Sequence, residues 1–525
     1  MGLFYFILAL YITAVAYLGY LGYKHTKSSK DYMVAGGEMN PFLTGMAYGA
    51  TFISTSAIVG FGGAAAFFGM SMLWLTFANI LVGIFIAFVV FGRRTRALGQ
   101  QLGAYTFPQL LGARFESKFI RRWAAALISI VLPLYTAAVM IGGARFLEKA
   151  LGMNYTTALL IFAVVVLAYV FFGGLRGVIY TDAFQGSLMF VIMAILIFMT
   201  YNKLGGVSAA HAKLDAMRSM VPAAFIKQGM TGFASMPVAF SQNWWFVMST
   251  LVMGVGIGVL SQPQLIVRYL TVKSGRELNR ALVYGGVFIL FMTGVAFTVG
   301  ALSNVYFKES AGKISMAMSG NPPNTDTVVP TFIAQAMPSW LMYLFLLALL
   351  AAAMSTLSGL FHLISTSISY DLNPKSGQND KRTLWLARAG LLVGFLVTVL
   401  VAFVLPGSII AIATSIFFGL SAAAFLPMYV GALYWKRSST VGATWSMVVG
   451  TLIYLYMVLF IHAKEAAIFG VAKALFGKPT LSTSALTYVD PLIVALPVSI
   501  VVFVVVSLLT KPSPVVLDSK KNAAV

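Results

Sequence analysis

Long apolar runs dominate the chain, and the polar residues between them are brief punctuation rather than one face of each segment. A bilayer core about 30 Å thick is crossed by roughly 20 apolar residues in helical form. About thirteen runs approach or exceed that length. They fall near 3–22, 42–70, 72–92, 123–145, 155–172, 180–200, 242–267, 280–305, 339–369, 384–404, 408–433, 441–461 and 490–510. Such lengths suit helices and not the roughly ten-residue strands of a membrane barrel. The pattern predicts an all-α polytopic membrane protein with about thirteen transmembrane helices.

Composition narrows the picture. Ordinary soluble domains carry about 25% charged residues, whereas this chain of 525 residues carries 9%, with 60% hydrophobic residues. Charges that sparse cannot coat a water-facing surface of this size. With no cysteine and four histidines, the chain has no material for a disulfide framework, a thiolate metal site or a Cys nucleophile. No Ser-His-Asp arrangement, phosphate loop or zinc motif is present, so an enzyme is not expected. The aromatic residues (Phe 41, Tyr 23, Trp 8) and the 26 Met read as lipid-facing and packing surface, with Trp244 and Trp245 as interfacial anchors.

The net charge of +21 raises the question of nucleic acid, but the bases are scattered between apolar runs rather than gathered in a patch. They are better read as an orientation signal. With the N-terminus outside and the runs alternating, 24 of the 35 Lys and Arg fall inside, among them Lys24, Lys27, Lys30, Arg93, Arg94, Arg176, Arg268, Lys375, Lys381, Lys520 and Lys521. This predicts N-out, C-in. The first run has no basic region before it and lysines after it, and reads as a reverse-oriented anchor. The longest outside stretches, near 201–240, 306–338 and 462–488, are polar, so function is expected among the helices.

Two runs carry helix-breaking residues. One is Gly49 to Gly63, with Ser54, Thr55, Ser56 and Gly60 inside it; the other is Gly254-Val255-Gly256-Ile257-Gly258 through Ser261-Gln262-Pro263. Each opens a block of five runs, 42–200 and 242–433. Paired interrupted helices are where transporters bind cargo at mid-membrane, because unwinding frees carbonyls to ligate a cation. Close packing of helices through small residues is the other reading of the same glycines. A third segment, Ala352 to Gly359, adds hydroxyls: Ser355, Ser358, Gly359 and His362 share one helical face. Carbonyls and hydroxyls without a carboxylate describe a weak monovalent cation site better than a divalent one. Asp182 is an acid within a span, functional by default, with pairing to Arg176 as its structural alternative.

The stretch Gly173-Gly174-Leu175-Arg176-Gly177-Val178-Ile179-Tyr180-Thr181-Asp182-Ala183-Phe184-Gln185-Gly186, with Ala352 to Asp371 and Gln262-Pro263…Arg268, resembles the sodium/solute symporter family over roughly residues 30–440. The resemblance implies a LeuT-like 5+5 inverted-repeat core with extra helices. The chain then divides into an N-terminal extra helix and first cytoplasmic loop (1–41), a first repeat (42–200), an outer loop (201–241), a second repeat (242–433), and two C-terminal helices with a tail (434–525). It also implies a sodium site from the carbonyls of Ala50, Ile53 and Ala352 and the hydroxyls of Ser355 and Thr356. Asp182, Ser358 and His362 then belong to a second ion or to the ion exit, with Gly359 lacking the hydroxyl a second sodium would use.

Substrate cues are mixed. The 50–56 run and Gly142 to Glu148 look most like the pantothenate branch, and Gln262-Pro263 like the proline branch, although Gln264 stands where a His is usual there. Together with Tyr135, these assign a solute cavity to Ser54, Thr55, Ser56, Tyr135 and Gln262. The expected partners are sodium, a small organic solute (carboxylate or amino acid) and the lipid bilayer, with no nucleic acid. The expected function is sodium-coupled import of a monocarboxylate or pantothenate-like carboxylate, with a proline or other amino-acid symporter as the alternative. A facilitator without ion coupling and a transporter-like nutrient sensor are the rivals of another class; the sensor usually carries an appended signalling domain.

Overall fold

The computed structural model describes residues 2–373, 380–406 and 409–513. Lys375, Lys520, Lys521 and the end of the 434–525 segment lie outside the described residues. The described chain is all helix and loop apart from one isolated bridge between Met39 and Val272. Eleven described helices are long and apolar enough to cross a membrane, and a twelfth, Tyr155–Ala168, is shorter. The difference from thirteen runs has a physical origin. Run 42–70 is interrupted in its middle, and its second half joins the next run through a tight turn at Gly69–Met72, so that 56–102 forms one apolar stretch of two helices.

The helices that position the centre are few. An outer helix α1 (Gly2–His25) precedes the interrupted pair α2 (Pro41–Phe52) and α3 (56–68), which turns into α4 (73–102). A short helix α5 (Phe107–Arg114) leads into α6 (Lys118–Leu151) and α7 (Tyr155–Lys203). The second interrupted pair is α8 (Gln242–Ser261) and α9 (Pro263–Tyr269), followed by α10 (Gly275–Ala311). A short outer helix α11 (Thr325–Ala336) precedes α12 (Ser339–Asp371), α13 (Asp380–Val404) and α14 (Ile410–Tyr434). Two further helices, α15 (Thr440–Ile461) and α16 (Pro491–Leu509), pack against α14 and each other. The helices α12 and α14 are the most deeply buried, at 94% of their apolar windows.

Both readings of the glycines are realised together. The N-terminal interrupted pair is broken, and it also packs closely: a Cβ at Gly300 of α10 would lie 2.0 Å from the Gly62 carbonyl, and one at Gly45 of α2 2.4 Å from that of Ala281. Such contact lets α10 lie directly on the interrupted helix. Within α7 the chain bends at Gly174, where φ 56° and ψ −171° describe a backbone open to glycine almost alone. Basic residues gather at one end of the bundle and staple it. Arg96 donates to the Val272 carbonyl (3.0 Å), Arg114 to that of Ala432 (3.1 Å), and Arg121 pairs with Asp371 at 2.9 Å.

At the opposite end Asp326 of α11 is buried outside the spans. Burial pushes its carboxyl up to about 6, against the pull of the Ile410 and Ile409 N–H groups and the Thr325 hydroxyl. Ile410 begins α14, so a loop helix caps a core helix. An unfolded aspartate titrates near 3.9, so between about 4 and 6 the folded chain holds the extra proton. Stability from this group is therefore complete below pH 4 and lost as pH rises to about 6. We expect Asp326→Asn to abolish that fall in thermal-unfolding profiles of detergent-solubilised protein; identical profiles for both proteins place the titration elsewhere.

Candidate functional site

The interruption of the first helix is local and explicit. Ile53 leaves the helix (φ −84°, ψ 88°) while its N–H still reaches the Gly49 carbonyl at 2.8 Å. Beyond it the Ser54 side chain accepts from the Ser56 N–H at 3.0 Å and starts the second half. The carbonyls ahead of the break are met from α12. Ser355 Oγ lies 2.9 Å from the Ala50 carbonyl and 3.2 Å from that of Ala352, and Thr356 Oγ1 donates to the Thr51 carbonyl at 3.1 Å. All are buried, and every oxygen brought together here is neutral. Ala50, Ala352, Ser355 and Thr356 thus come together as expected; the carbonyl facing Thr356 is that of Thr51, a residue the sequence argument left out, rather than that of Ile53.

One turn further along α12 lies an acid held by a cation. Arg268 Nη2 of α9 lies 2.8 Å from Asp182 Oδ2, with the two side chains 1% and 0% exposed. Thr51 Oγ1 donates to the same oxygen at 3.1 Å, and Ser358 Oγ to Oδ1 at 3.1 Å. Arg268 also donates to Thr51 Oγ1 at 2.9 Å. The alternative pairing of Asp182 with Arg176 is corrected: Arg176 donates to the Ala35 carbonyl at 3.1 Å and lies 3.8 Å from Asp31. Arg268 is likewise no loop charge, because α9 folds into the core immediately after Pro263. Gly359 faces this pair; a Cβ there would lie 3.1 Å from Thr51 Cγ2 and 3.7 Å from Arg268 Nη2. His362, two turns beyond Ser355, has Nε2 2.9 Å from the Tyr32 carbonyl and its ring 5.2 Å from that of Tyr32.

On the other side of the break is a small chamber of about 20 Å³, lined by Ser54, Ser56, Asn79, Tyr135, Thr293 and Thr414 with Phe52, Phe61, Phe297 and Phe418. It has room for about one water-sized molecule. Tyr135 hydrogen-bonds Ser54 and stacks on Phe417 at 5.8 Å. Two of the expected cavity residues do not line it. Thr55 turns its hydroxyl to the Val139 carbonyl (2.8 Å), and Gln262 bonds back to the Gly258 carbonyl (3.2 Å) and accepts from Gln264 (3.1 Å). In their place stand Asn79, Thr293 and Thr414. Asn79 and Thr293 are lone polar residues in apolar surroundings, a signal that could have found them, whereas Thr414 adjoins Ser415.

Interrupted helices meeting inside an all-α bundle, with an oxygen cluster on one side of the break and a polar chamber on the other, define an ion-coupled secondary transporter. Comparison with known proteins agrees. The profile of the sodium:solute symporter family matches residues 32–450. The sodium/pantothenate symporter of Haemophilus influenzae is 29% identical over 460 residues, covering 86% of this chain and 89% of that protein. Sodium/proline symporter 2 of Staphylococcus saprophyticus is 27% identical, covering 87% and 86%. A sodium-coupled sialic acid symporter in a substrate-bound outward-open state superposes with a TM-score of 0.77 at 18% identity, covering 98% and 99%.

The chain belongs to the sodium:solute symporter family. It is an integral membrane protein with a LeuT-like fold, a symporter rather than an enzyme, and sodium is its coupling ion.

The buried pair is testable without transport. Asp182→Asn or Arg268→Gln alone leaves a buried charge unpaired and should cost about 3–5 kcal/mol, the double variant much less than the sum. A double-mutant cycle on detergent-unfolding curves measures this; simple additivity would mean that the two charges do not share their burial.

Proposed function

We propose that this protein imports a small organic carboxylate together with sodium by alternating access. The observation that carries the reading is the pairing of two adjacent hydroxyls, Ser355 and Thr356, with the carbonyls of Ala50 and Thr51 ahead of the helix break. Hard monovalent cations take such neutral oxygens. Sodium there, with Ile53 and Ala352 completing the set, would tie α2 to α12 and favour the outward-open state. A ligand shifts such an equilibrium only by its differential affinity for the two states. The repeats are 42–200 and 242–433. The N-terminus is placed outside, because Arg96, Arg114 and Arg121 gather at one end of the bundle, which is taken as cytoplasmic.

One sodium per cycle is favoured. Both oxygens of Asp182 are engaged by Arg268, Thr51 and Ser358, so a tethered guanidinium stands where a second cation would bind. Sodium leaves past this pair toward His362, Gln264 and Thr366, which border a second small space of about 10 Å³. The solute binds where Ser54, Ser56 and Tyr135 line the chamber, with Asn79, Thr293 and Thr414 opposite, once the helices part to widen a space that here holds about one water-sized molecule. Several hydroxyls and one amide, with no acid among the described lining residues, suit a carboxylate bearing hydroxyl or amide groups, such as pantothenate, better than an amino-acid zwitterion, whose ammonium is best met by an anion.

Thr356→Ala should raise the sodium concentration for half-maximal uptake about tenfold, corresponding to about 1.4 kcal/mol, and leave the solute requirement nearly unchanged at saturating sodium. Proteoliposome uptake over a sodium series tests this, and a Hill coefficient near one is expected throughout. An unchanged sodium requirement sinks the ion-site assignment, and uptake indifferent to replacing sodium by choline would mean an uncoupled facilitator.

The solute is checked separately by competition. Pantothenate should bind in the presence of sodium, and Asn79→Ala should weaken it by about 1–3 kcal/mol through a lost buried hydrogen bond. Displacement by proline and not by pantothenate would transfer the assignment to the amino-acid branch.

A further inference from the structure

An apolar cavity lies behind the site described above, against α1. It is a groove of about 480 Å³, lined by Val15, Ala16, Gly19 and Tyr20 of α1, by Val165 and Ala168 of α7 before its bend, and floored by Met354 of α12. Its walls are almost wholly apolar. Its volume falls within the range of ligand sites, about 300–1,000 Å³. Gly19 keeps the groove open: a Cβ there would meet nothing within 4 Å. The groove runs between helices that cross the membrane, so hydrocarbon is the medium at its mouth.

One end of the groove is chemically distinct. Tyr20 and Tyr23 lead directly into Lys24, and the exposed Lys27 and Lys30 follow where α1 ends. Arg388 lies over the ring of Phe171, which sits one turn beyond Ala168 on α7. The acid within the 24–31 stretch, Asp31, is already engaged by the Ser28 cap and by Arg176. An apolar slot that opens beside aromatic residues and a basic cluster matches a lipid with a buried chain and an anionic headgroup.

We propose that this groove is a binding site for an anionic phospholipid, with an acyl chain between α1 and the first half of α7 and the headgroup phosphate on Lys24 and Lys27. The chain rests on Met354, whose sulfur the Tyr11 hydroxyl reaches at 3.5 Å; that hydroxyl in turn accepts from Gln185 at 2.9 Å. Bound lipid thus buttresses α12 from behind, at the residue before Ser355. Nothing in this assignment depends on which solute is carried.

The test uses the purified full-length protein and phosphatidylglycerol as the probe, with phosphatidylcholine as the neutral control. Native mass spectrometry of delipidated protein should show saturable retention of phosphatidylglycerol, at least tenfold tighter than phosphatidylcholine. In mixed bilayer discs the unfolding temperature should rise with the phosphatidylglycerol fraction. Ala16→Phe and Ala168→Phe fill the slot and should lower retention at least tenfold without lowering the unfolding temperature in detergent. Ile130→Phe, on an exposed face of α6, should change neither. The double variant Lys24→Gln/Lys27→Gln should remove the preference for phosphatidylglycerol. Equal retention by the filled variants and the parent overturns the site, and equal retention of both lipids by the parent overturns the anionic headgroup.

Discussion

Two backbone carbonyls that have lost their helix organise this core. Within hydrocarbon an unsatisfied peptide group costs several kcal/mol, so an interrupted helix persists only where a neighbour meets its freed groups. Here α12 meets them with hydroxyls from consecutive residues, Ser355 to Ala50 and Thr356 to Thr51. Consecutive residues on a helix point about 100° apart, so two such contacts fix both the height and the rotation of α12 against α2. A one-residue slip would set one of the two carbonyls against Met354 or Leu357 and leave it unmet. The register of one of the two most deeply buried of the described helices therefore rests on a break in another.

Thr51 joins that arrangement to the buried ion pair. Its carbonyl accepts from Thr356, while its hydroxyl donates to Asp182 and accepts from Arg268. Four elements, α2, α7, α9 and α12, thereby meet around one threonine. A buried ion pair is weak evidence of stability, since desolvation offsets much of the attraction, but breaking it by removing one partner is costly. Its value lies in geometry: both interrupted helices are tied to α7 and α12 together, so neither can move alone. Gly359 belongs to the same arrangement, because a side chain there would press on Thr51 and Arg268.

The sequence announced what depends on hydropathy and on helix-breaking residues. The runs, the two interrupted helices and the hydroxyl face of α12 were legible because each is a local pattern. Arg268 was misread as an inside loop charge because its place follows from how α9 re-enters the core after Pro263, which no count of Lys and Arg reveals. Thr55 and Gln262 were placed in the cavity by the likeness of their segments to the pantothenate and proline branches. A break changes direction by an amount that sequence does not state, and both side chains turn to backbone carbonyls instead. Asn79 and Thr293 were overlooked for the opposite reason: they sit in runs that hydropathy treats as uniformly apolar, and only packing shows which face looks inward.

The distribution of charge bears on why a solute and an ion would travel together. The chamber is lined by hydroxyls, an amide, aromatic rings and aliphatic side chains, with no lysine or arginine among the described lining residues to receive a carboxylate. The buried guanidinium of Arg268 is committed to Asp182 across the break. On the proposed reading, the positive charge that an anionic solute needs must then arrive with the cotransported cation, held by Ala50 and Ser355 on the far side of the same interrupted helix. Each ligand would raise the affinity of the other by the same factor, as linkage requires. A resident lysine in the chamber would relieve the solute of that dependence, and coupling would weaken as affinity grew.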